Sequence, residues 1–446
     1  MVRCAVSCIK KEVIIKDVIV IDEIMGSGKT SAAINFINSN KTEKFIFVSP
    51  FLSEMQRIKD ACPDLNFQEP SDEIIKSKTV SFRFFLDSGN NIVTTHQLLL
   101  RQSRDIAAKV SDYTLIIDEA LNGAVEAVNE YWPFEKNMFL ENCFELREKG
   151  FLHWTQDPRY KGSLLELKEK SDQGRLKGFR TERSCGIFEV FPSEILLAFK
   201  NVYVLTYMFE SQNFSYYLKS EGIDTRRIYI KEDSGNYFFS EDLPPEKHFN
   251  FNELITIHSG KISLENPNGK LNTIGDENFS LSKNWYKTRG DIKKLRNNTY
   301  NFLLNIVKAP SSKFMWTTFS DFENMFTPRL RKKTFVPCNS KATNDYADRT
   351  TLAYLVNLFV NPGLVAYYKS FGITVSHNGF ALSEMIQWIW RSAIRCGEKI
   401  DLYIPSSRQR TLLRQWLDSI SENNRNEEFA FLEDPEFSEE WADRAA

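Results

Sequence analysis

The chain is short of the residues that would build a metal cluster or a disulfide frame. Its seven cysteines (Cys4, Cys8, Cys62, Cys143, Cys185, Cys338 and Cys396) are scattered without a Cys-x-x-Cys pair, and 446 residues include only five histidines. That spacing argues against a zinc site and fits free thiols in a reducing compartment. No apolar run reaches eighteen residues and no secretory pattern opens the chain, so a soluble cytoplasmic protein without a membrane partner is expected. Charge is also nearly balanced. A net charge of −2 means that nucleic acid, if bound, must lie in a local groove and not on a uniformly basic surface.

What the chain does have is ample apolar material, 42% of its residues, enough for two or three domains with real cores. The most informative stretch is Met25, Gly26, Ser27, Gly28, Lys29 and Thr30, which follows the apolar run Val13 to Ile21 and precedes a helix-compatible segment. Two glycines let a turn aim its N–H groups at phosphate oxygens, and the following helix adds its positive end. Lys29 is expected to reach the β- and γ-phosphates, and Thr30 to place its hydroxyl on a magnesium ion. Glu23 stands where a strict pattern has glycine, which points away from kinases and small GTPases.

A second motif, Leu115-Ile116-Ile117-Asp118-Glu119-Ala120, ends an apolar strand in two carboxylates. At the mouth of a parallel sheet, Asp118 would hold the metal and Glu119 would orient and deprotonate an attacking water. A third, QWIWRSAIR, places Gln387, Arg391 and Arg395 at spacings of four, one face of a helix from which two guanidiniums could meet phosphate charge.

In this order the three motifs resemble motifs I, II and VI of superfamily 2 helicases. Between them FIFVSP (Phe45 to Pro50), VTTHQLL (Val93 to Leu99), VLTYM (Val204 to Met208) and FMWTTF (Phe314 to Phe319) resemble motifs Ia, Ib, III and IV, while KATNDYADR (Lys341 to Arg349) is a poor motif V without the common glycine. The overall texture is similar to helicases encoded by bacteriophages, which would place the protein in the host cytoplasm. The resemblance implies an α/β fold of two RecA-like parallel-sheet lobes around a nucleotide cleft, with ATP and Mg2+ as cofactors. It also implies nucleic-acid contacts from Ser49, Thr94 and Thr95, and coupling of hydrolysis to movement through Thr206. No upstream adenine-reading motif is visible, so the choice of ATP rests on the resemblance.

Asp118 and Thr206 are 88 positions apart, far more than a single helix and loop need, so residues 124–191 read as an insertion in the first lobe, with helix-like stretches around Phe139 to Lys149 and Leu164 to Lys170. The first lobe is expected over 1–230 and a turn-rich connecting region over 231–294. The second lobe follows over 295–420, with a helix at Arg296 to Val307 and strands at Lys313 to Thr318 and Ile400 to Pro405, and an acidic tail over 421–446 ends the chain. Lys287, Arg289, Lys293 and Lys294 lie among the aromatics Trp285 and Tyr286, the mixture that tracks a phosphate backbone and stacks bases. The tail carries nine acidic residues with Phe429, Phe431, Phe437 and Trp441 between them, and reads as a docking segment for a protein partner or for the enzyme's own basic channel.

These readings converge on an ATP-dependent helicase, acting most readily on single-stranded or forked DNA, with RNA as the other track. The alternatives are a duplex DNA translocase that never separates strands, and an ATPase serving as a loader or packaging motor.

Overall fold

Strands buried on both faces must be apolar along their whole length, and the segments flanking the motifs have that character. The structure, a computed structural model, describes residues 17–73, 77–127, 142–180, 185–243, 250–258, 273–288, 290–327, 329–338, 344–421 and 432. In the first lobe β1 (Val18–Asp22), helix α1 (Lys29–Ser39), β2 (Lys44–Val48), helix α2 (Leu52–Ala61), β3 (Ile92–Thr94) and β4 (Tyr113–Asp118) follow in the chain. Successive side chains alternate between two cores. Val18, Val20, Ile46, Val48, Leu115 and Ile117 enter one, and Ile19, Ile21, Phe45, Phe47 and Ile116 enter the other, so both faces of the sheet are covered.

The insertion begins with β5 (Ala124–Glu126), β6 (Phe144–Leu146), β7 (Leu152–Trp154), β8 (Leu176–Arg180) and β9 (Cys185–Val190). Here β5, β9 and β8 form a small antiparallel sheet, and β6 pairs with β7 as a hairpin. The described part of Phe139 to Lys149, expected as helix, therefore contains a strand; Phe144 packs edge-on against Trp154 at 5.4 Å, and cross-strand packing outweighs local propensity. The helix expected at Leu164 to Lys170 is present as Leu165–Asp172.

The chain returns to the first sheet with β10 (Asn201–Thr206), β11 (Thr225–Asp233) and β12 (Asn236–Ser240), giving the order β12-β11-β1-β10-β4-β2-β3. All neighbours are parallel except the terminal hairpin β11–β12. The second lobe has four parallel strands, β13 (Ile255–Ile257), β14 (Phe314–Thr317), β15 (Thr351–Tyr354) and β16 (Ile400–Tyr403), in the order β13-β16-β15-β14. The stretch 231–294, read as a connection, is thus shared between the lobes: β12 edges the first sheet and β13 edges the second. The helix expected at Arg296 to Val307 is α-helical over Ile292–Tyr300 and continues as a π-helix over Asn301–Ile306.

The lobes are in contact. Ile24 and Met208 of the first lobe belong to the same apolar cluster as Trp388, Trp416 and Leu352 of the second. The insertion also reaches across, for Phe188 of β9 stacks at 4.4 Å on Tyr367 of the helix Pro362–Lys369. Apart from Leu432, the acidic tail beyond Ser421 lies outside the described residues, as do Arg289 and the start of KATNDYADR. No helix among the described residues is long and apolar enough to cross a membrane.

Candidate functional site

Because β1, β4 and β10 are parallel, their carboxyl ends open on one edge of the sheet, where Asp22 is in register with Thr206, and Leu205 with Asp118. From that edge the chain turns through Gly26 (φ +80°) and Gly28 (φ +90°), left-handed conformations that L-residues resist, into α1. No side chain caps α1, so the N–H groups of its first turn are left for a ligand or solvent. The Ser27 hydroxyl is buried without a hydrogen-bond partner among the described residues.

Lys29 folds back over this loop, where its ammonium donates to the carbonyl oxygens of Glu23 and Ile24. Burial lowers its pKa, while Glu119, Asp22, Glu23 and Asp118 all favour its charged form. Across the loop Asp118 is buried at the end of β4 and accepts a 3.0 Å hydrogen bond from Ser49 Oγ. Loss of hydration, then repulsion from Glu119 and Glu54, pushes its pKa up to about 7. Glu119 sits at φ +65°, unusual for a residue with a side chain, and its N–H donates to the Leu205 carbonyl at 2.9 Å.

The second wall belongs to the other lobe. Gln387, Arg391 and Arg395 all face the same cleft of about 640 Å³ as Lys29, Thr30, Asp118 and Glu119. They do not share one helix face, however. The helix His377–Ile389 ends before Arg391, Ser392 is extended, and Arg395 belongs to a separate 3-10 turn at Ala393–Cys396. Arg391 is 6% exposed, and its Nε and Nη1 have no hydrogen-bond partner among the described residues. Burial lowers its pKa against the pull of Glu384 and Glu119. Between the walls the Trp390 ring covers the glycine loop, so that a Cβ at Gly26 would meet its Cζ2 at 3.6 Å.

Thr206 is buried and donates to Gln212 Oε1 at 2.9 Å; the Gln212 amide donates to the Tyr207 carbonyl, and the Tyr207 hydroxyl accepts from Trp416 Nε1 at 2.8 Å. This chain of hydrogen bonds runs from β10 to the helix Ser407–Ser421 of the second lobe. Asp22 joins it to β1 by accepting from the N–H groups of Met208 (2.7 Å) and Phe209 (3.1 Å). Sequence reasoning missed Asp22, Gln212 and the contact made by Trp390, because each acts through a neighbour distant in the chain.

The expected nucleic-acid contacts fare unevenly. Ser49 and Thr94 are buried, the first bound to Asp118, so neither offers its hydroxyl to a strand; Thr95 caps the helix His96–Leu100 by accepting from Leu98 N. Lys287, Lys293 and Lys294 are exposed. Their aromatic neighbours are not stacking platforms: Tyr286 is buried and donates to the Leu355 carbonyl at 2.6 Å, and Trp285 packs on the same core.

The site and fold together describe a two-lobed α/β protein with its chemistry-bearing residues gathered at the lobe boundary. Residues 250–417 match the family model described as the YonV C-terminal Rossmann-like domain, a span that takes in β13. Over 417 residues, 90% of this chain and 98% of the relative, the sequence is 36% identical to the "SPbeta prophage-derived uncharacterized protein YonV" of Bacillus subtilis (strain 168). The chain belongs to the YonV family. Among solved structures it is similar to "XPD_Helicase" (TM-score 0.47, 10% identity, 89% of this chain and 94% of that one). It is also similar to Xpd4 of S. tokodaii (TM-score 0.44, 11% identity, 90% and 94%).

Proposed function

We propose that this protein is an ATP-dependent motor of helicase superfamily 2 that translocates along nucleic acid, DNA in the first instance, and separates its strands. The observation that carries this reading is the convergence of residues from the two ends of the chain on one cleft, with two nitrogens of a buried guanidinium on its far wall left without a hydrogen-bond partner among the described residues. A buried donor without an acceptor is costly, and a phosphate group is the kind of ligand that would satisfy it.

In this reading the N–H groups around Gly26 to Thr30 cradle the phosphates, and Lys29 exchanges the carbonyl oxygens of Glu23 and Ile24 for the β- and γ-phosphates. Thr30 and Asp118 supply hard oxygen donors at the cleft, a set that suits Mg2+, whose chemistry when bound is to neutralise developing phosphate charge. Glu119 takes the proton of the attacking water. Arg391, with Arg395 and Gln387, stabilises the transferring phosphoryl group from the second lobe. Thr206 passes the change to that lobe through Gln212, Tyr207 and Trp416, and strand affinity alternates as the lobes move.

The test is the ATPase rate with single-stranded DNA, duplex DNA and RNA as separate stimulants, beside strand displacement on a forked duplex. Stimulation by single strands with displacement is expected, and Glu119→Gln should keep ATP binding while losing about 10²-fold or more in rate. Stimulation by duplex alone without displacement would make the protein a translocase. An unstimulated ATPase, or a Glu119→Gln variant of wild-type rate, would end the helicase reading.

A further inference from the structure

One aromatic side chain of the cleft has no part in this chemistry. Sheet order places β10 and β4, which ends at Asp118, on one side of β1, and β11 and β12 on the other. A triphosphate lying on the glycine loop with its terminal phosphate toward Asp118 and Glu119 must extend its remaining half the opposite way, past β1 toward the β11–β12 hairpin. Tyr237 stands there, half-buried and lining the cleft.

Its position is built in. Ser234 (φ +52°) and Gly235 (φ +80°) form a two-residue turn between the paired Asp233 and Asn236, the left-handed pair that suits a tight hairpin. The Tyr237 carbonyl accepts a 2.9 Å hydrogen bond from Asn35 Nδ2 of α1, tying the strand to the helix that begins at the glycine loop. The ring lies against that loop so closely that a Cβ at Gly28 would fall 2.3 Å from its Cδ1. Only glycine permits this approach.

We propose that Tyr237 is the platform on which the base of a bound nucleoside triphosphate stacks, an inference that rests on the nucleotide reading of the cleft. Stacking uses the face of a base and ignores its hydrogen-bonding edge, so the site takes nucleoside triphosphates as a class and ATP and GTP bind comparably.

Equilibrium binding of ATP, GTP and inorganic tripolyphosphate to the wild type, Tyr237→Ala, Tyr237→Phe and Lys29→Ala separates this inference from its foundation. The wild type should hold ATP about tenfold or more tightly than tripolyphosphate, a margin in the range of a single base–aromatic stack. Tyr237→Ala should remove that margin and leave tripolyphosphate unchanged, whereas Tyr237→Phe should keep it. Equal weakening of both ligands, tighter ATP binding, or no change in Tyr237→Ala would overturn the platform, since the ring would then support the loop, obstruct it or be idle. A wild type that binds neither ligand, or a Lys29→Ala variant that binds both as the wild type does, would remove the nucleotide reading and the platform with it.

Discussion

The two walls of the cleft are satisfied to different degrees. On the first lobe Lys29 rests on carbonyl oxygens, Asp118 on Ser49, and Asp22 on two N–H groups. On the second lobe Arg391 is buried with two guanidinium nitrogens unpaired among the described residues. Both walls keep open donors, since the Ser27 hydroxyl of the first is also buried without a partner among the described residues, but the second leaves two nitrogens of one buried cation open, which an anion would fill. In the proposed reading the first lobe is the binding surface and the second the part that responds to occupancy.

The sharpest way to break this contrast is to remove the guanidinium with the two open nitrogens. Arg391→Ala should lower the maximal ATPase rate by about 10³-fold or more, the scale of an arginine finger, with little change in the affinity for ATP. A loss of affinity with an unchanged rate would make Arg391 a ground-state binder and erase the distinction between the walls.

Without nucleotide the same residue should act in the opposite direction. Arg391→Met keeps most of the side-chain volume and removes the two unsatisfied donors, so ligand-free protein should gain about 1–3 kcal/mol of stability. Denaturant unfolding measures it, and saturating nucleotide should stabilise both proteins by the same amount, because Arg391 acts on the rate and hardly on the affinity. A destabilised ligand-free variant would show that the guanidinium is satisfied after all.

How much of this was readable from the sequence follows the same division. Asp118 and Glu119 stand at the end of β4, and Lys29 and Thr30 open α1 after the glycine turn that follows β1, places that an apolar run followed by a polar or glycine turn marks in the sequence. Gln387, Arg391 and Arg395 are grouped as one face of a helix by their spacing, but the helix that would align them stops at Ile389. Tertiary packing brings them to the cleft instead, as Trp388 donates to the Val336 carbonyl and Trp390 packs over Gly26. Ser49 and Thr94 misled for a related reason, since a hydroxyl at a strand end can turn inward as readily as outward. Strand β13 is only three residues long, and nothing in so short a run separates it from the surrounding loops.

Acidity offers a finer probe of the first wall. The Asp118 carboxyl titrates near 7 in the folded chain, against 3.8 for an unperturbed one, chiefly because it is buried. A raised folded value means that its contribution to stability is fully present below about 3.8 and is lost as pH rises through about 7. In metal- and nucleotide-free buffer the stability gained by Asp118→Asn should therefore grow over that window and level off above it. The gain from Arg391→Met should stay flat across the same range, because a guanidinium does not titrate there. Parallel pH profiles for the two variants would mean that the walls are not electrostatically distinct.

The smallest effect concerns the outer face of the second lobe. Lys287, Lys293 and Lys294 are exposed on the helices Lys283–Thr288 and Ile292–Tyr300, with their aromatic neighbours turned into the core. Such a face can hold a strand only through phosphates, without stacking, and its energy comes from released counterions. Removing one lysine that pairs with a phosphate should then reduce the slope of log affinity against log salt by about one. Replacing all three lysines with alanine should flatten the slope accordingly and weaken binding evenly across sequences, while nucleotide-dependent changes in affinity persist because the cleft is untouched. An unchanged slope would remove this face from the track and leave the strand to other surfaces of the two lobes.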